Sequence, residues 1–252
     1  MFMKSYPLKI IVASNYSVLS KIASEKVLAE VKRKPNLCLS LPTGKTPLGM
    51  YFAISKEFYE KKISFAKATF FELDEFVLDD YSKHQNLSFR KYLEKNLFQK
   101  TDFNKNKLNF FSLNAVDLNK ECRNYEKKLS KKNLDLIVLG MGLNGHIAFN
   151  LPSSSVHSRT RVVNLNLREL DEHHRKKMCN TKRIKAFTIG IANILKAKKI
   201  IMLVSGKHKS KIMRKFIKMS RDPKAGAVKR LPALALCFHP NAEIIVDLAA
   251  LS

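Results

Sequence analysis

The residues with the clearest capacity for chemistry follow a short apolar run at positions 134–139. Three glycines, Gly140, Gly142 and Gly145, stand within six residues, and His146 comes directly after them. Glycine lets the backbone turn sharply and approach a ligand closely, and histidine is the side chain best suited to move protons near neutral pH. A strand, a glycine-rich turn and a histidine in this order predict an active-site edge in an open α/β sheet.

Three interpretations compete for this glycine-rich turn. Residues 140–145 fit the G-x-G-x-x-G fingerprint of dinucleotide-binding proteins, which needs a helix directly afterwards and an acidic residue roughly 20 positions on. Pro152 limits such a helix, and Leu165 stands where the acid is expected. A structural turn with a solvent-facing histidine is the second interpretation. We favour the third, a catalytic loop for a ligand that is not a nucleotide.

A second candidate loop, residues 42–47 (PTGKTP), lies between a predicted strand and a predicted helix. Backbone N–H groups and hydroxyls at such a junction can bind a phosphate, helped by the helix dipole. A Walker A motif would need glycine at position 39, which is Leu39, and a proline follows GKT at once. We therefore favour a phosphate-binding loop of another kind over a plain turn. Its candidate residues are Thr43, Gly44, Lys45 and Thr46.

Two acids, Asp74 and Glu75, follow a predicted strand at positions 69–73. Ligands collect at the carboxyl ends of strands in parallel sheets. One of these carboxylates is therefore a candidate general base. The alternative, a pair of acids that cap a helix or face solvent, stays open at this point.

The rest of the chain alternates strand-like and helix-like segments. Apolar runs predict strands at 8–13, 37–41, 69–73, 134–139, 186–190, 200–205, 233–238 and 242–247, with 159–165 extended. Helical spacing and polarity predict helices at 17–32, 48–61, 88–98, 119–130, 168–178, 191–197 and from Ser210 onward. We find no repeat or linker. The pattern predicts one Rossmann-like α/β domain over residues 1–252, with a largely parallel sheet and helices on both faces.

The amino-acid composition limits the cellular compartments and the binding partners that are expected for this chain. The chain of 252 residues is 45% hydrophobic, which suits a globular domain with a sizeable core. No apolar run reaches the roughly 18 residues that a membrane span needs, and the N-terminus lacks the hydrophobic stretch of a signal peptide. The four cysteines are scattered, as suits a reducing compartment. We expect a cytoplasmic protein without a membrane partner.

The net charge of +26 favours anionic ligands. However, the lysines are spread along the chain, and no basic arm, zinc finger or RNA-binding aromatic signature accompanies them. We therefore favour a solvated lysine-rich surface over nucleic-acid binding.

Six stretches carry a family resemblance, in the family's order and spacing over most of the chain. They are LPTGKTPLGMY (41–51), FELDEFV (71–77), ECRNYE (121–126), GHIAFN (145–150), SRTRV (158–162) and FHPN (238–241). Together they resemble the glucosamine-6-phosphate deaminase (isomerase) family, whose relatives, the 6-phosphogluconolactonases, share the fold and the Gly-His turn. The resemblance implies that an amino-sugar 6-phosphate and water give fructose 6-phosphate and ammonia, with no metal and no organic cofactor.

The resemblance also implies roles for individual residues. His146 would move a proton at the ring oxygen when the pyranose opens, and Asp74 would move a proton between C1 and C2 during isomerisation. Asn144 would hydrogen-bond the imidazole. The flanks of Arg175 match the family poorly. A homo-oligomer is left open. The residues expected to hold the phosphate of the sugar are Thr43, Gly44, Lys45, Thr46, Arg175 and Lys209.

Two departures from the family pattern affect the expected chemistry. The family usually has aspartate at position 144 and glutamate at 151, where this chain has Asn144 and Leu151. Asparagine cannot stabilise an imidazolium by charge and leucine can do no proton chemistry, so we expect slow turnover. The regulatory site is also incomplete, because Val163 stands in place of a lysine beside Ser154 and Arg161. A galactosamine-type substrate, a lactonase and a weakly catalytic binding protein stay open as alternatives.

Overall fold

The computed structural model describes residues 3–77, 87–170, 172–178 and 184–252. Its strands are β1 (Lys9–Ala13), β2 (Cys38–Ser40), β3 (Thr69–Phe71), β4 (Asp74–Val77), β5 (Leu108–Asn109), β6 (Leu136–Gly140), β7 (Arg161–Leu165), β8 (Ile184–Thr188), β9 (Lys199–Val204) and β10 (Ala242–Asp247). Its α-helices span Tyr16–Arg33, Leu48–Tyr59, Phe89–Asn96, Leu118–Lys132, Glu172–Lys177, Ile191–Ile194, Ser210–Ser220 and Leu248–Leu251. Shorter 3-10 helices include Leu167–Glu169, Lys207–Lys209, Ala225–Lys229 and Pro232–Phe238.

Seven strands form a parallel sheet in the order β1-β10-β9-β6-β2-β3-β5, which confirms the predicted sheet. After β2 the chain adds strands towards one edge, whereas after β6 it adds them towards the other. Because β2 and β6 are neighbours, the crevice beyond their carboxyl ends is the switch point where open α/β sheets bind ligands. The 42–47 loop follows β2 and the glycine-rich turn follows β6, so both open onto this crevice.

Alternate residues of the central strands enter two hydrophobic cores, one on each face of the sheet. In β6, Ile137 and Leu139 belong to one core, and Leu136 and Val138 belong to the other. The first core includes the helices Leu118–Lys132 and Ser210–Ser220, and the second includes Tyr16–Arg33 and Leu48–Tyr59. Helices therefore cover both faces, as predicted, and explain why these strands are apolar throughout.

A second, antiparallel sheet in the order β4-β8-β7 was not predicted as a separate unit. The sequence suggested that Asp74 and Glu75 terminate the strand at 69–73. In the structure β3 ends at Phe71, and Asp74 is the first residue of β4 in the antiparallel sheet. No glycine or proline in residues 69–77 marks this change of sheet, because the backbone can leave one sheet and enter another without a turn residue.

The predicted strand at 233–238 is wrong, because Pro232–Phe238 is a fully buried 3-10 helix. Every residue in it is buried, so its hydrophobicity has no period that would separate helix from strand. Alanine and leucine are also weak strand formers, and Pro232 suits the first position of a helix. The predicted helix at 168–178 is described only as Leu167–Glu169 and Glu172–Lys177, with residue 171 outside the described part.

Within the described ranges, no helix is long and apolar enough to cross a membrane. In the same ranges, no group of three or more His, Cys, Asp or Glu side chains is placed to hold a metal ion. That residues 1–252 form one domain, and that no cofactor is needed, stay predictions.

Candidate active site

The 42–47 loop leaves open space above its backbone. Gly44 has φ of +93°, and a Cβ added there would meet nothing within 4 Å. Positive φ favours glycine at this position, and the missing side chain lets a ligand approach the peptide groups. Thr43 and Thr46 are half-buried beside it, and Lys45 is exposed. The geometry therefore leaves the backbone of the loop accessible to a ligand.

The glycine-rich turn presses closely on the ring of His146. A Cβ on Gly142 would lie 2.2 Å from His146 Cε1, so only glycine fits there. The backbone N–H of Gly142 also donates to the carbonyl oxygen of His146 at 2.9 Å. Gly145, with φ of +81°, completes the turn. The glycines predicted to allow a sharp turn therefore also bring the backbone against the imidazole.

Hydrogen bonds to Asn144 define the tautomer of His146. The backbone N–H of His146, which can only donate, donates to Asn144 Oδ1 at 3.2 Å. The same oxygen lies 2.7 Å from Nδ1 of the imidazole. Nδ1 must therefore carry the ring proton, which leaves the lone pair on Nε2. Asparagine orients the ring at this position, as the sequence suggested, without supplying a negative charge.

Burial and charge both keep His146 neutral. Burial, followed by the positive charge of Lys209, lowers the pKa of the imidazole to about 4. Lys209 reaches the same turn, because its Nζ donates to the carbonyl oxygen of Met141 at 2.6 Å. At neutral pH the imidazole is therefore a neutral group whose Nε2 lone pair can accept a proton and pass it on.

Asp74 is a buried acid, with 8% of its surface exposed. Burial, followed by the negative charge of Glu75, raises its pKa to about 8. Burial and the charge of Glu75 also raise the pKa of nearby Glu72. A carboxyl group with a pKa near the working pH can both take and return a proton, which is the property required of a general base in an isomerisation.

Asp74 is joined to the loop of His146 through β8. Asp74 pairs with Thr188 across the β4–β8 ladder. Thr188 Oγ1 accepts the backbone N–H of Phe149 at 3.1 Å, and Asn150 Nδ2 donates to Ile189 O at 2.9 Å. The antiparallel sheet thus links the candidate base to the segment that follows the candidate histidine.

The loop after β9 adds positive charge at the same edge. The buried Asp247 carboxylate accepts the N–H of Gly206 at 3.0 Å and the hydroxyl of Ser205. These bonds fix the turn that leads into Lys209. Burial lowers the pKa of neighbouring His208, and the charges of Lys209 and then Lys45 contribute in the same direction. Lys45 of the 42–47 loop and the 207–209 segment therefore lie near each other.

Arg175 lies on the short helix Glu172–Lys177 and is exposed. Hydrogen bonding to Lys176 lowers the pKa of the Glu172 carboxyl, with smaller contributions from the charges of Arg175 and Lys45. This electrostatic contact places the helix near the 42–47 loop. The structure thus brings positive charge from Lys45, Arg175 and the 207–209 segment to one region.

Leu151 is half-buried against a small apolar cluster that includes Phe76 and Phe149. Its surroundings are therefore hydrocarbon on at least one side, which is a poor environment for a carboxylate. The side chain packs against the apolar residues of the antiparallel sheet.

Four further residues near these loops were not predicted as site residues from the sequence. Glu72 is buried, and its Oε2 accepts the N–H of Phe111 at 3.1 Å. Tyr16, Tyr51 and Tyr92 contact the 42–47 loop. Tyr51 and Glu72 lie in stretches with family resemblance, and Tyr92 contacts a residue 48 positions away. Such long-range contacts have no local pattern by which the sequence could reveal them.

Comparison with known proteins shows the family of the chain. Residues 15–242 match the sequence model of the glucosamine-6-phosphate isomerases/6-phosphogluconolactonase family. The chain belongs to this family. Glucosamine-6-phosphate deaminase from Clostridium novyi is 39% identical, with 97% of this chain and 99% of the relative covered. The enzyme of the same name from Thermoanaerobacter pseudethanolicus is 36% identical, covering 97% of this chain and 94% of the relative.

Solved structures show the same fold. A monomeric glucosamine-6-phosphate deaminase superposes with a TM-score of 0.84 and 33% identity, covering 97% of this chain and 100% of that one. The 6-phosphogluconolactonase of Thermotoga maritima has a TM-score of 0.72 but 18% identity, covering 96% and 100%, and so supports the fold alone. Within the family, this chain is a glucosamine-6-phosphate deaminase-like enzyme.

Proposed function

We propose that the protein converts an amino-sugar 6-phosphate and water into a ketohexose 6-phosphate and ammonia. The observation that carries the proposal is the structural link between two proton-transfer groups, one a carboxylic acid and the other a neutral imidazole. Asp74 is an acid with a pKa near 8, and Thr188 connects it to the loop of a neutral His146. The names of the relatives make glucosamine 6-phosphate the expected substrate.

In the proposed reaction, His146 opens the sugar ring. Nδ1 is held as a donor by Asn144, so Nε2 can accept the proton of the C1 hydroxyl and return it to the ring oxygen. The proton ends on the oxygen and the C1–O bond to the ring breaks, which gives the open-chain aldehyde. A neutral imidazole suits this transfer because it begins and ends the step without charge.

Asp74 then carries out the isomerisation. The ionised carboxylate removes the proton from C2 of the open-chain amino aldehyde and returns it to C1, while the C1 oxygen gains a proton and the amine nitrogen gives one up. The product of this step is an imine at C2, to which water adds before ammonia leaves. A pKa near 8 makes Asp74 a stronger base than an ordinary aspartate once it is ionised.

The phosphate is held by the positive region at the carboxyl edge of the parallel sheet. Backbone N–H groups and hydroxyls of the 42–47 loop supply donors, helped by the positive end of the following helix. Lys45, Arg175 and Lys209 supply charge. A dianion that is held at one end of the substrate fixes the distance from the phosphate to C1 and C2. The donors of the loop are those of Thr43, Gly44, Lys45 and Thr46.

The test is product formation by the purified protein from a panel of sugar phosphates. We expect ammonia release from glucosamine 6-phosphate, and galactosamine 6-phosphate in the panel determines which epimer is preferred. Hydrolysis of 6-phosphogluconolactone without ammonia release would assign the protein to lactonase chemistry instead. Binding of all the sugar phosphates without turnover would indicate a sugar-phosphate-binding protein that has lost its activity, with Leu151 in place of the family's glutamate.

A further inference from the structure

Three tyrosines from three different helices donate hydrogen bonds to carbonyl oxygens of the 42–47 loop. The hydroxyl of Tyr51 donates to Pro42 O. Tyr92 Oη donates to Gly44 O at 2.5 Å, and Tyr16 Oη donates to Lys45 O at 3.2 Å. The tyrosines lie in the helices Leu48–Tyr59, Phe89–Asn96 and Tyr16–Arg33. Three of the four carbonyl groups from Pro42 to Lys45 therefore have a phenol as their partner.

These bonds also set the direction of three N–H groups. In a planar trans peptide, the carbonyl of one residue and the N–H of the next point in opposite directions. A phenol on the carbonyl of Pro42, Gly44 or Lys45 therefore turns the following N–H away from that phenol. The N–H groups of Thr43, Lys45 and Thr46 donate to no acceptor within the described ranges.

We propose that Tyr16, Tyr51 and Tyr92 are positioning residues for the phosphate of the substrate. They hold the carbonyl oxygens of the 42–47 loop away from the ligand and thereby present its N–H groups. This inference rests on the proposed function, since it concerns how the same site takes a phosphorylated sugar. A carbonyl oxygen that faced the phosphate would repel it, whereas an N–H donates to it.

The loop needs such support because of Gly44. With φ of +93° and open space where a Cβ would lie, Gly44 has the freedom to rotate its neighbouring peptide groups. Rotation of the peptide between Gly44 and Lys45 would replace the N–H of Lys45 by the carbonyl of Gly44. The hydroxyl of Tyr92 opposes that rotation directly.

The phenols of Tyr51 and Tyr92 are suited to remain donors at every working pH. Burial, and to a smaller extent the neighbouring Tyr92, raises the pKa of Tyr51 well above its usual value. Burial, followed by the neighbouring Tyr16, raises the pKa of Tyr92. The rings of Tyr51 and Tyr92 meet edge to face, with centroids 6.5 Å apart. Tyr16 in turn accepts the N–H of Gly49 at 2.9 Å, which ties it to the next helix.

The experiment compares Tyr92→Phe with the matched control Tyr59→Phe, a tyrosine that is 66% exposed and lies outside the loop contacts. Dissociation constants of inorganic phosphate and of fructose 6-phosphate are measured by titration calorimetry, together with Tm, kcat and KM. We expect Tyr92→Phe to weaken both ligands by the same factor, roughly five- to tenfold, as for the loss of one hydrogen bond. KM should rise while kcat stays nearly constant, and Tyr59→Phe should match the wild type.

A Tyr92→Phe variant that binds phosphate as the wild type does would overturn the inference, whether or not its Tm falls. If Tyr92→Phe fails to fold, Tyr16→Phe takes its place, because Tyr16 lies nearer the surface and its loss should weaken phosphate in the same way. A phosphate affinity that depends on Tyr92, in a wild type that releases no ammonia, would refute the proposed reaction and leave this inference standing. Ammonia release with unchanged phosphate affinity in the variant would refute the inference alone.

Discussion

Burial favours the neutral form of both Asp74 and His146, although the pKa of the first rises and the pKa of the second falls. Burial raises the pKa of Asp74 to about 8 and lowers that of His146 to about 4. At neutral pH the histidine is already in its active form, whereas most of the aspartate is protonated. The ionisation of Asp74 should therefore control the pH dependence of the reaction on its acidic side.

Asp74→Asn tests this assignment, because asparagine keeps the shape and removes the base. We expect kcat to fall by roughly 100- to 10,000-fold, with little change in the affinity for fructose 6-phosphate. In the wild type, kcat/KM should rise as pH increases through about 8. Steady-state kinetics and product titration measure these effects, and near-normal turnover of Asp74→Asn would remove Asp74 from the mechanism.

The same substitution has a consequence for stability. The folded-state pKa of Asp74 lies above the ordinary value of 3.8, so the folded protein binds this proton more tightly than the unfolded chain does. The stability that this group contributes is present below pH 3.8 and is lost as pH rises through about 8. Asp74→Asn should accordingly have a higher Tm than the wild type in alkaline buffer, where the buried carboxylate is ionised.

Leu151 and Asn144 are the positions at which the chain departs from the family pattern. Asn144→Asp should raise the pKa of His146, because a carboxylate stabilises the imidazolium. Leu151→Glu places a charge against the cluster of Phe76 and Phe149. For the double variant we expect a lower Tm, with a rate gain of about tenfold only if the pocket can accommodate the new carboxylate. Ammonia release and Tm decide this together, and Leu151→Gln is the uncharged control.

At the scale of elements, the glycine-rich turn offers an internally controlled test. Gly142→Ala would place a Cβ 2.2 Å from His146 Cε1, whereas a Cβ on Gly140 would meet nothing within 4 Å. Gly142→Ala should displace the imidazole and lower kcat by roughly the value of a general acid–base group, 100-fold or more. Gly140→Ala should stay close to the wild type. Equal kinetics for the two variants would show that the position of the ring is unimportant.

The helix Phe89–Asn96 connects the candidate base to the 42–47 loop. The Glu75 carboxylate accepts the N–H groups of Phe89 and Arg90 at 3.0 Å and the hydroxyl of Ser88 at 2.7 Å. Tyr92, on the same helix, contacts Gly44. Glu75 thus anchors the element that supports the loop, and it lies next to Asp74 in the chain.

Glu75→Gln should affect both ends of this connection. Removal of the negative charge lowers the pKa of Asp74, because that charge helps to raise it. The rise of kcat/KM with pH should therefore move to lower pH, and Tm should fall by the loss of charged hydrogen bonds to the helix N-terminus. An unchanged pH profile in a folded variant would show that Glu75 does not act on Asp74.

Most elements could be predicted from the sequence, and the exceptions have physical causes. The parallel strands are recognisable in the sequence as continuous apolar runs, because both of their faces are buried, as in β6 and β9. Residues 233–238 are equally apolar but helical. The sequence did not reveal this, because complete burial removes the hydrophobic periodicity that separates a helix from a strand. The turn at 140–146 could be predicted from its glycines. The contacts of Tyr16 and Tyr92 could not, because tertiary packing alone brings them to the loop.

At the scale of the whole molecule, one segment near the site contributes a large share of the net charge of +26. Residues 207–230 contain ten lysine and arginine residues and one acid. This segment adjoins the glycine-rich turn, where a Cβ on Gly145 would clash with Leu231 and lie 3.5 Å from Ile212. A positive surface around the crevice should attract a phosphate dianion over a distance.

Ionic strength tests this attraction. As salt concentration rises, kcat/KM for the phosphorylated substrate should fall while kcat stays constant, because screening slows encounter and leaves the bound complex unchanged. Charge reversal at exposed Lys215 should reduce the salt dependence, and charge reversal at exposed Lys67, outside the segment, serves as the control. A kcat/KM independent of salt would mean that the surface charge plays no part in capture.

The central claim is that this fold moves a proton between C2 and C1 of an amino-sugar phosphate and then releases ammonia. The most direct measurement follows glucosamine 6-phosphate that carries deuterium at C2. We predict equimolar ammonia and fructose 6-phosphate, a slower rate than for the unlabelled sugar, and deuterium that either reaches C1 of the product or is lost to solvent. Asp74→Asn should abolish both label movement and ammonia. Deuterium that stays at C2, with no ammonia released, would contradict the account.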